Sequence, residues 1–142
     1  MEKDLTQTFI EALWDIFRLR SMSRLGEFLQ GETLILAYLD DHREKAVHPS
    51  ELSKNLGMTK PRVTAAVSAL SAKGCVLSKQ CENDGRMVEL SLTEKGKETI
   101  REKKEKVHAY FLRFVEKMET EDILELTRLI GLSVEMMKDE EM

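Results

Sequence analysis

Apolar residues recur along the chain with two different periods, and the change of period divides it. Leu5, Phe9, Leu13, Ile16 and Phe17, with Trp14 beside them, stand at helical spacing and predict a first helix. A less regular connection runs from Arg18 to Gly31. Leu34, Ile35, Ala37, Tyr38 and Leu39 then predict a second helix that ends at Asp40-Asp41-His42. From Pro49 to Leu92 the segments shorten. Pro49 suits a first helical turn, Leu52 and Leu56 give the apolar side, and Gly57 stops that helix. Thr59 is the predicted N-cap of a fourth helix that runs to Gly74. Only Gly57-Met58-Thr59 separates the pair, which makes a helix-turn-helix.

Beyond Gly74 the period falls to two. Val88, Leu90 and Leu92 alternate with Met87, Glu89 and Ser91, so Cys75–Gln80 and Met87–Leu92 predict an antiparallel hairpin. A turn of six residues, Cys81 to Arg86, joins its arms. Thr93 then caps a long helix through Ile100, Val107, Phe111, Val115 and Met118. Thr120 starts a last one, with Ile123, Leu126, Leu129, Ile130, Val134 and Met137 on its apolar side, and Lys138–Met142 is expected to fray. The fold class is therefore mainly α with a small β-wing: six helices and a two- to three-stranded antiparallel wing.

At about 100° per residue, Val63, Ala66, Val67 and Leu70 share one narrow sector of the fourth helix. The opposite sector holds Pro61, Ala65, Ser68, Ala69 and Ala72, with Lys60 and Thr64 on one shoulder and Arg62 on the other. A face of Ala and Ser suits packing on a neighbouring helix. It also suits entry into a groove roughly 12 Å wide, where bulky side chains would block approach. In the second case Arg62 reaches a guanine edge or a phosphate, Thr64 and Ser68 donate or accept, and Pro61, Ala65 and Ala69 touch thymine methyls. Ser50, Lys54, Lys60, Lys73 and the amides at the helix starts, Thr59 included, are the phosphate candidates.

Charge alone fits a mixed solvated surface, but it is unevenly spread. The chain has 142 residues and a net charge of −4, but from Arg43 to Lys106 there are 14 Lys or Arg against 9 Asp or Glu, a net +5. The rest holds 8 basic and 17 acidic residues, a net −9. A basic middle between acidic ends has a direction that a uniformly mixed surface lacks.

Composition narrows the alternatives. With 42% hydrophobic and 34% charged residues the chain is a folded one rather than a disordered one. Its longest apolar runs, such as Leu34–Ala37, fall far short of the roughly 20 residues a membrane span needs. The start Met1-Glu2-Lys3-Asp4 lacks signal-peptide character. Two cysteines, Cys75 and Cys81, suggest a reduced compartment, so the cytoplasm is expected. Cys75 is expected to be buried and structural. Cys81, near Lys79 and Arg86, is expected to be a passive surface thiol. The histidines, His42, His48 and His108, form no metal-binding pair, and no nucleophile elbow, Walker loop or dinucleotide fingerprint is present. No enzyme, metal or cofactor is expected.

Ser50-Glu51-Leu52, Leu56-Gly57, Val63-Thr64 and Leu70 with Lys73-Gly74 occur in this order, followed by Asp84-Gly85-Arg86, Leu92-Thr93 and Gly96. In this combination the chain resembles the MarR (multiple antibiotic resistance regulator) family of winged-helix transcription factors, over about 45 residues by motif. The resemblance implies one domain over 1–142, with 43–93 as the DNA-binding winged helix-turn-helix and 1–42 and 94–142 as dimerisation helices. It implies a homodimeric repressor that uses a recognition helix, 60–73, and a wing, 81–86, and that a small molecule releases. Two-fold symmetry would set the recognition helices about 34 Å apart and call for a pseudo-palindromic operator. The first and last helices carry apolar stripes too large to stay exposed, which argues for a partner independently.

Three wing positions depart from the family pattern: Ser78 stands where a basic residue is frequent, Cys81 where an acid is, and Gly85 where a second arginine is. Wing affinity then rests on Lys79 and Arg86. His48 takes a cap slot usually given to Thr or Ser. Trp14, Phe17, Arg18, Met22, Phe28, His108 and Phe111 combine apolar walls with a cation, a makeup that suits a small aromatic or anionic effector, although aromatics at helical spacing also make plain core. The rival to a DNA-binding repressor is a winged-helix protein–protein module without specific operator binding.

Overall fold

The computed structural model describes residues 4–20, 22, 25–26, 30–81 and 84–140, and only the backbone at 81 and 84–86. Among these residues there are six helices and one two-stranded antiparallel sheet. The elements are α1 (Leu5–Phe17), α2 (Gly31–Asp41), α3 (Pro49–Leu56), α4 (Lys60–Ala72), β1 (Val76–Cys81), β2 (Asp84–Leu92), α5 (Glu94–Lys117) and α6 (Thr120–Glu140). The last helix continues to Glu140, so the expected fraying at Lys138 does not occur there. By internal packing the chain falls into two compact units, Met1–Lys104 and Glu105–Met142.

In the first unit the local signals act where the sequence places them. The Asp4 carboxylate caps α1 by accepting from the Gln7 amide at 2.7 Å. Pro49 begins α3, and Gly57 ends it in the left-handed conformation at φ 63°, which a side chain would strain. Thr59 Oγ1 accepts from the Arg62 amide and starts α4. Thr93 Oγ1 accepts from the Gly96 amide at 3.0 Å and donates to the Gly74 carbonyl at 2.6 Å, so one hydroxyl starts α5 and ties it to the end of α4.

The core joins α2, the helix-turn-helix, the wing base and the start of α5. Its members are Ile35, Leu36, Leu39, Val47, Leu52, Met58, Val63, Leu70, Cys75, Val76, Leu90 and Ile100. Each fully buried Leu or Ile contributes about 1.5–3 kcal/mol by leaving water. Polar contacts fix the seam between α2 and α5. Lys104 Nζ reaches Asp40 at 2.7 Å and Asp41 at 3.2 Å, Arg43 holds the other Asp40 oxygen, and Lys103 Nζ donates to the buried Thr33 hydroxyl at 3.0 Å. Burial alone would raise the Asp40 carboxyl, but the Lys104 and Arg43 bonds outweigh it and hold the carboxyl below its ordinary value. By contrast, no residue of α1 or α6 is buried in the single chain. Leu5 is 86% and Phe17 62% exposed on α1, and Leu124 is 65% exposed on α6.

A second polar cluster locks α3 to α2. Glu51 Oε2 accepts from the Tyr38 hydroxyl and from Lys45 Nζ, each at 2.8 Å, while Asn55 Nδ2 donates to the Tyr38 oxygen at 2.9 Å. The Lys45 ammonium, helped by the Tyr38 hydroxyl and the His48 amide, overcomes burial and lowers the Glu51 carboxyl from 4.5 to about 2. A depressed carboxyl stabilises the fold above its unfolded value, and that stability disappears as pH falls through the folded value. Glu51→Gln should therefore be less stable at pH 7 by about 1–3 kcal/mol, the range for charged hydrogen bonds. Its deficit should shrink between pH 4.5 and about 2, the window set by the two values. Urea unfolding at several pH values checks this; a deficit independent of pH contradicts it.

Candidate nucleic-acid interface

The two faces of α4 separate as the helical angles require. Val63 and Leu70 are buried, Ala66 and Val67 half-buried. Lys60, Pro61, Arg62, Thr64, Ala65 and Ser68 are exposed together with Thr59 at the cap. Ala69, expected on the open face, is half-buried instead. The Thr64 hydroxyl donates to the Lys60 carbonyl at 3.0 Å, so toward a ligand it offers only lone pairs and is an acceptor rather than an ambiguous group. Ser50 and Lys54 on α3 are exposed. Among the described residues Lys54, Lys60, Arg62 and Lys79 form no ion pair, so these cations are available to an anion.

Lys73 is different. Its ammonium lies 2.5 Å from a Glu32 oxygen at the start of α2, and that hydrogen bond raises its pKa. Lys95 Nζ donates to the Lys73 carbonyl at 2.6 Å. The expected phosphate ligand is thus engaged with α2, and α5 holds its backbone. Nothing local in the sequence announces a pair 41 residues apart.

The wing corrects the sequence reading most. Its strands reach farther than the expected turn from Cys81 to Arg86 allows. β1 continues to Cys81, β2 begins at Asp84, and Arg86 lies within β2. The expected first-strand residue Cys75 precedes β1, buried, with Sγ 3.9 Å from Thr99 Oγ1. The ladder pairs Val76 with Leu92 and proceeds regularly to Gln80 with Val88, but the next pair is Cys81 with Asp84. Gly85, Arg86 and Met87 therefore stand on β2 between partners of two consecutive β1 residues, an irregularity of the bulge kind. A bulge breaks the period of two, which is why apolar alternation identifies the strand only from Met87 onward. The Cys81 and Arg86 side chains lie outside the described residues. Lys79 is exposed opposite Glu89.

A further side chain, which the sequence marked only as a weak cap, holds the wing. No side-chain hydrogen bond from His48 caps α3. The Glu51 carboxylate accepts from the His48 amide at 3.3 Å, while ring Nδ1 lies 2.9 Å from the Val88 carbonyl oxygen on β2. Beside it the Leu90 amide donates to the Val47 carbonyl at 2.8 Å, a single bridge that supplies the third strand position of the wing.

The expected effector residues divide between the units. In the first, Trp14 and Phe17 are exposed on α1 with ring centroids 6.5 Å apart, edge to face. Arg18 pairs with Asp15 at 3.8 Å, and Met22 is half-buried. In the second, His108 is exposed and Phe111 half-buried, its ring edge-on to Tyr110 at 5.2 Å. Phe28 lies outside the described residues. A cavity of about 250 Å³ in the first unit is lined by Leu39, His42, Arg43, Lys45, Leu92 and Lys97, with Leu90 and Ser91. Its cations are each compensated by a carboxylate, Arg43 by Asp40, Lys45 by Glu51 and Lys97 by Glu94. No helix among the described residues is long and apolar enough to cross a membrane.

Comparison with known proteins falls on the same region. Residues 29–87 match the model of the MarR family. The transcriptional repressor MprA of Escherichia coli K12 is 37% identical over 73 residues, which is 50% of this chain and 42% of that protein. The chain therefore matches less than half the length of this curated relative. Two solved structures share the fold over nearly the whole chain. Streptococcus pneumoniae FabT in complex with DNA has a TM-score of 0.73 at 24% identity, covering 94% of this chain and 98% of that one. A Staphylococcus aureus MepR–DNA complex has a TM-score of 0.70 at 16% identity, with the same coverage. The family match spans α2, α3, α4, β1 and the start of β2, and over these residues, 29–87, the chain is similar to the MarR family.

Proposed function

We propose that the chain is a transcriptional repressor that binds double-stranded DNA as a homodimer. The observation that carries this is the open face of α4. Ala65 and Ser68 form a flat strip bordered by Lys60, Arg62 and Thr64, with no ion pair on either cation among the described residues. Such a face admits the floor of a major groove and places its cations at the rim. Pro61 and Ala65 meet thymine methyls, Ser68 and Thr64 meet base-edge donors, and Arg62 meets a guanine edge. Thr59, Ser50, Lys54 and Lys60 grip phosphate, with Lys79 and Arg86 of the wing alongside. Lys73 joins them only by leaving Glu32.

The homodimer is supported by the unburied apolar faces of α1 and α6, each more exposed than a lone soluble chain tolerates. Segments 1–42 and 94–142 pair the subunits in this reading, and 43–93 reads DNA. The name of the MprA relative and the DNA complexes of the FabT and MepR structures support repression and a duplex partner. Release by a small aromatic or anionic effector completes the proposal, with Trp14 and Phe17 as apolar wall and Arg18 as cation. A cytoplasmic location follows from this work on DNA. No observation favours the rival protein–protein module.

Footprinting the region upstream of the protein's own gene tests the reading. Two protected half-sites, centred about one helical turn apart, are expected. Protection that is absent or uniform along the fragment sinks it. Within the same scheme, Arg86→Ala should weaken binding on all sequences alike and reduce the salt dependence by about one counterion per wing. Unchanged affinity and unchanged salt slope would remove the wing from the interface.

A further inference from the structure

Antiparallel geometry makes the His48–Val88 contact more than an incidental bond. Val47 bridges Leu90, and the Leu90 amide donates to the Val47 carbonyl. The next rung of such a ladder, two residues on along one chain and two back along the other, joins residue 49 to Val88. There the amide of residue 49 would donate to the Val88 carbonyl. Residue 49 is proline and has no N–H. Without a substitute, the edge carbonyl of Val88 would lose its ladder partner just where Gln80–Val88 is the last regular pair before the bulge. The His48 ring supplies the substitute: Nδ1 lies 2.9 Å from that oxygen. Because a carbonyl only accepts, Nδ1 carries the proton in this contact.

The position of this rung matters. Leu90 is buried in the core and Val88 packs half-buried against it, but Met87, Lys79 and Gln80 toward the tip are exposed, so packing holds the ribbon only as far as Val88. The His48 ring fixes β2 two residues from Arg86, and the Glu51–His48 amide contact fixes the backbone that carries the ring. We infer that His48 is a positioning residue: its imidazole replaces the rung that Pro49 cannot make, and so sets the wing, with Arg86, against the helix-turn-helix for DNA. This rests on the repressor reading above.

The test combines side-chain geometry with a double-mutant cycle. Asparagine can place its amide N–H near where Nδ1 stands, whereas glutamine reaches toward the place of Nε2. His48→Asn should keep operator affinity within about twofold, while His48→Ala and His48→Gln should each lose about tenfold, roughly one hydrogen bond in each of two subunits. In an Arg86→Ala background the His48→Ala loss should shrink to under about twofold, because the positioned group is gone. A loss that stays tenfold there, or an Asn variant no better than Gln, overturns the inference. Hydrogen exchange in the free protein separates this from failure of the repressor reading. His48→Gln should speed exchange of the β2 amides around Met87 and Val88, and His48→Asn should not, even if no duplex binds. Equal exchange in all variants overturns the inference without touching the DNA-binding proposal.

Discussion

Gly96→Ala should abolish stable folding at moderate temperature. A Cβ at this position would lie 2.1 Å from the Cys75 carbonyl oxygen, 3.0 Å from its carbonyl carbon and 3.2 Å from Leu92 Cδ2. The nearest obstacle is backbone, so no rotamer change relieves it. That backbone is also committed: the Cys75 carbonyl accepts from the Thr93 amide at 3.0 Å, and the Cys75 amide donates to the Leu70 carbonyl at 2.9 Å. Moving α5 away instead would break the Thr93 bond to the Gly74 carbonyl and pull Ile100, which is fully buried, from the core. Overpacking against fixed backbone places this among the large single-residue effects, about 4 kcal/mol or more. Typical domain stability is only about 5–15 kcal/mol. Thermal and urea unfolding followed by circular dichroism measure it. A variant within about 1 kcal/mol of wild type would show that α5 does not approach Cys75 as described.

Arg62→Ala has the opposite signature, with little effect on the fold and a large effect on recognition. Its side chain is exposed in the first turn of α4, and the Thr59 cap involves its amide rather than its guanidinium. Stability should stay within about 0.5 kcal/mol of wild type, as for surface sites generally. A good bidentate contact with guanine discriminates by about 1–3 kcal/mol, and a dimer makes it twice. Affinity for the preferred duplex should therefore fall about 100-fold or more, while affinity for unrelated duplexes falls much less. Competition titrations with single-base variants of the operator measure both. Equal losses on every sequence would make Arg62 a phosphate contact, and no loss on any would remove α4 from the groove.

The two predictions differ in how much of their basis is legible in the sequence. The helix-turn-helix is legible because its punctuation is local: Pro49, Gly57, Thr59 and Gly74 each act on the backbone within a few residues of themselves. The faces of α4 follow from angle alone, and only Ala69 departs, through packing that angle does not describe. The wing is legible where Val88, Leu90 and Leu92 alternate, and not where the bulge at Gly85, Arg86 and Met87 breaks the period. Long-range polar pairs are the least legible. The Lys73–Glu32 bond withdraws an expected phosphate ligand, and the His48–Val88 contact changes a poor helix cap into a wing anchor. In the second case a trace exists, since Pro49 announces a missing donor, but only the ladder shows which carbonyl loses it.

Fluorescence titration of duplex DNA from the protein's own promoter region, repeated across salt concentrations, tests the central claim most directly. A dissociation constant of about 10⁻⁸ M or tighter that weakens steeply with salt is the expected result, with unrelated duplexes bound far more weakly. Equal binding to every duplex at micromolar concentrations would contradict it.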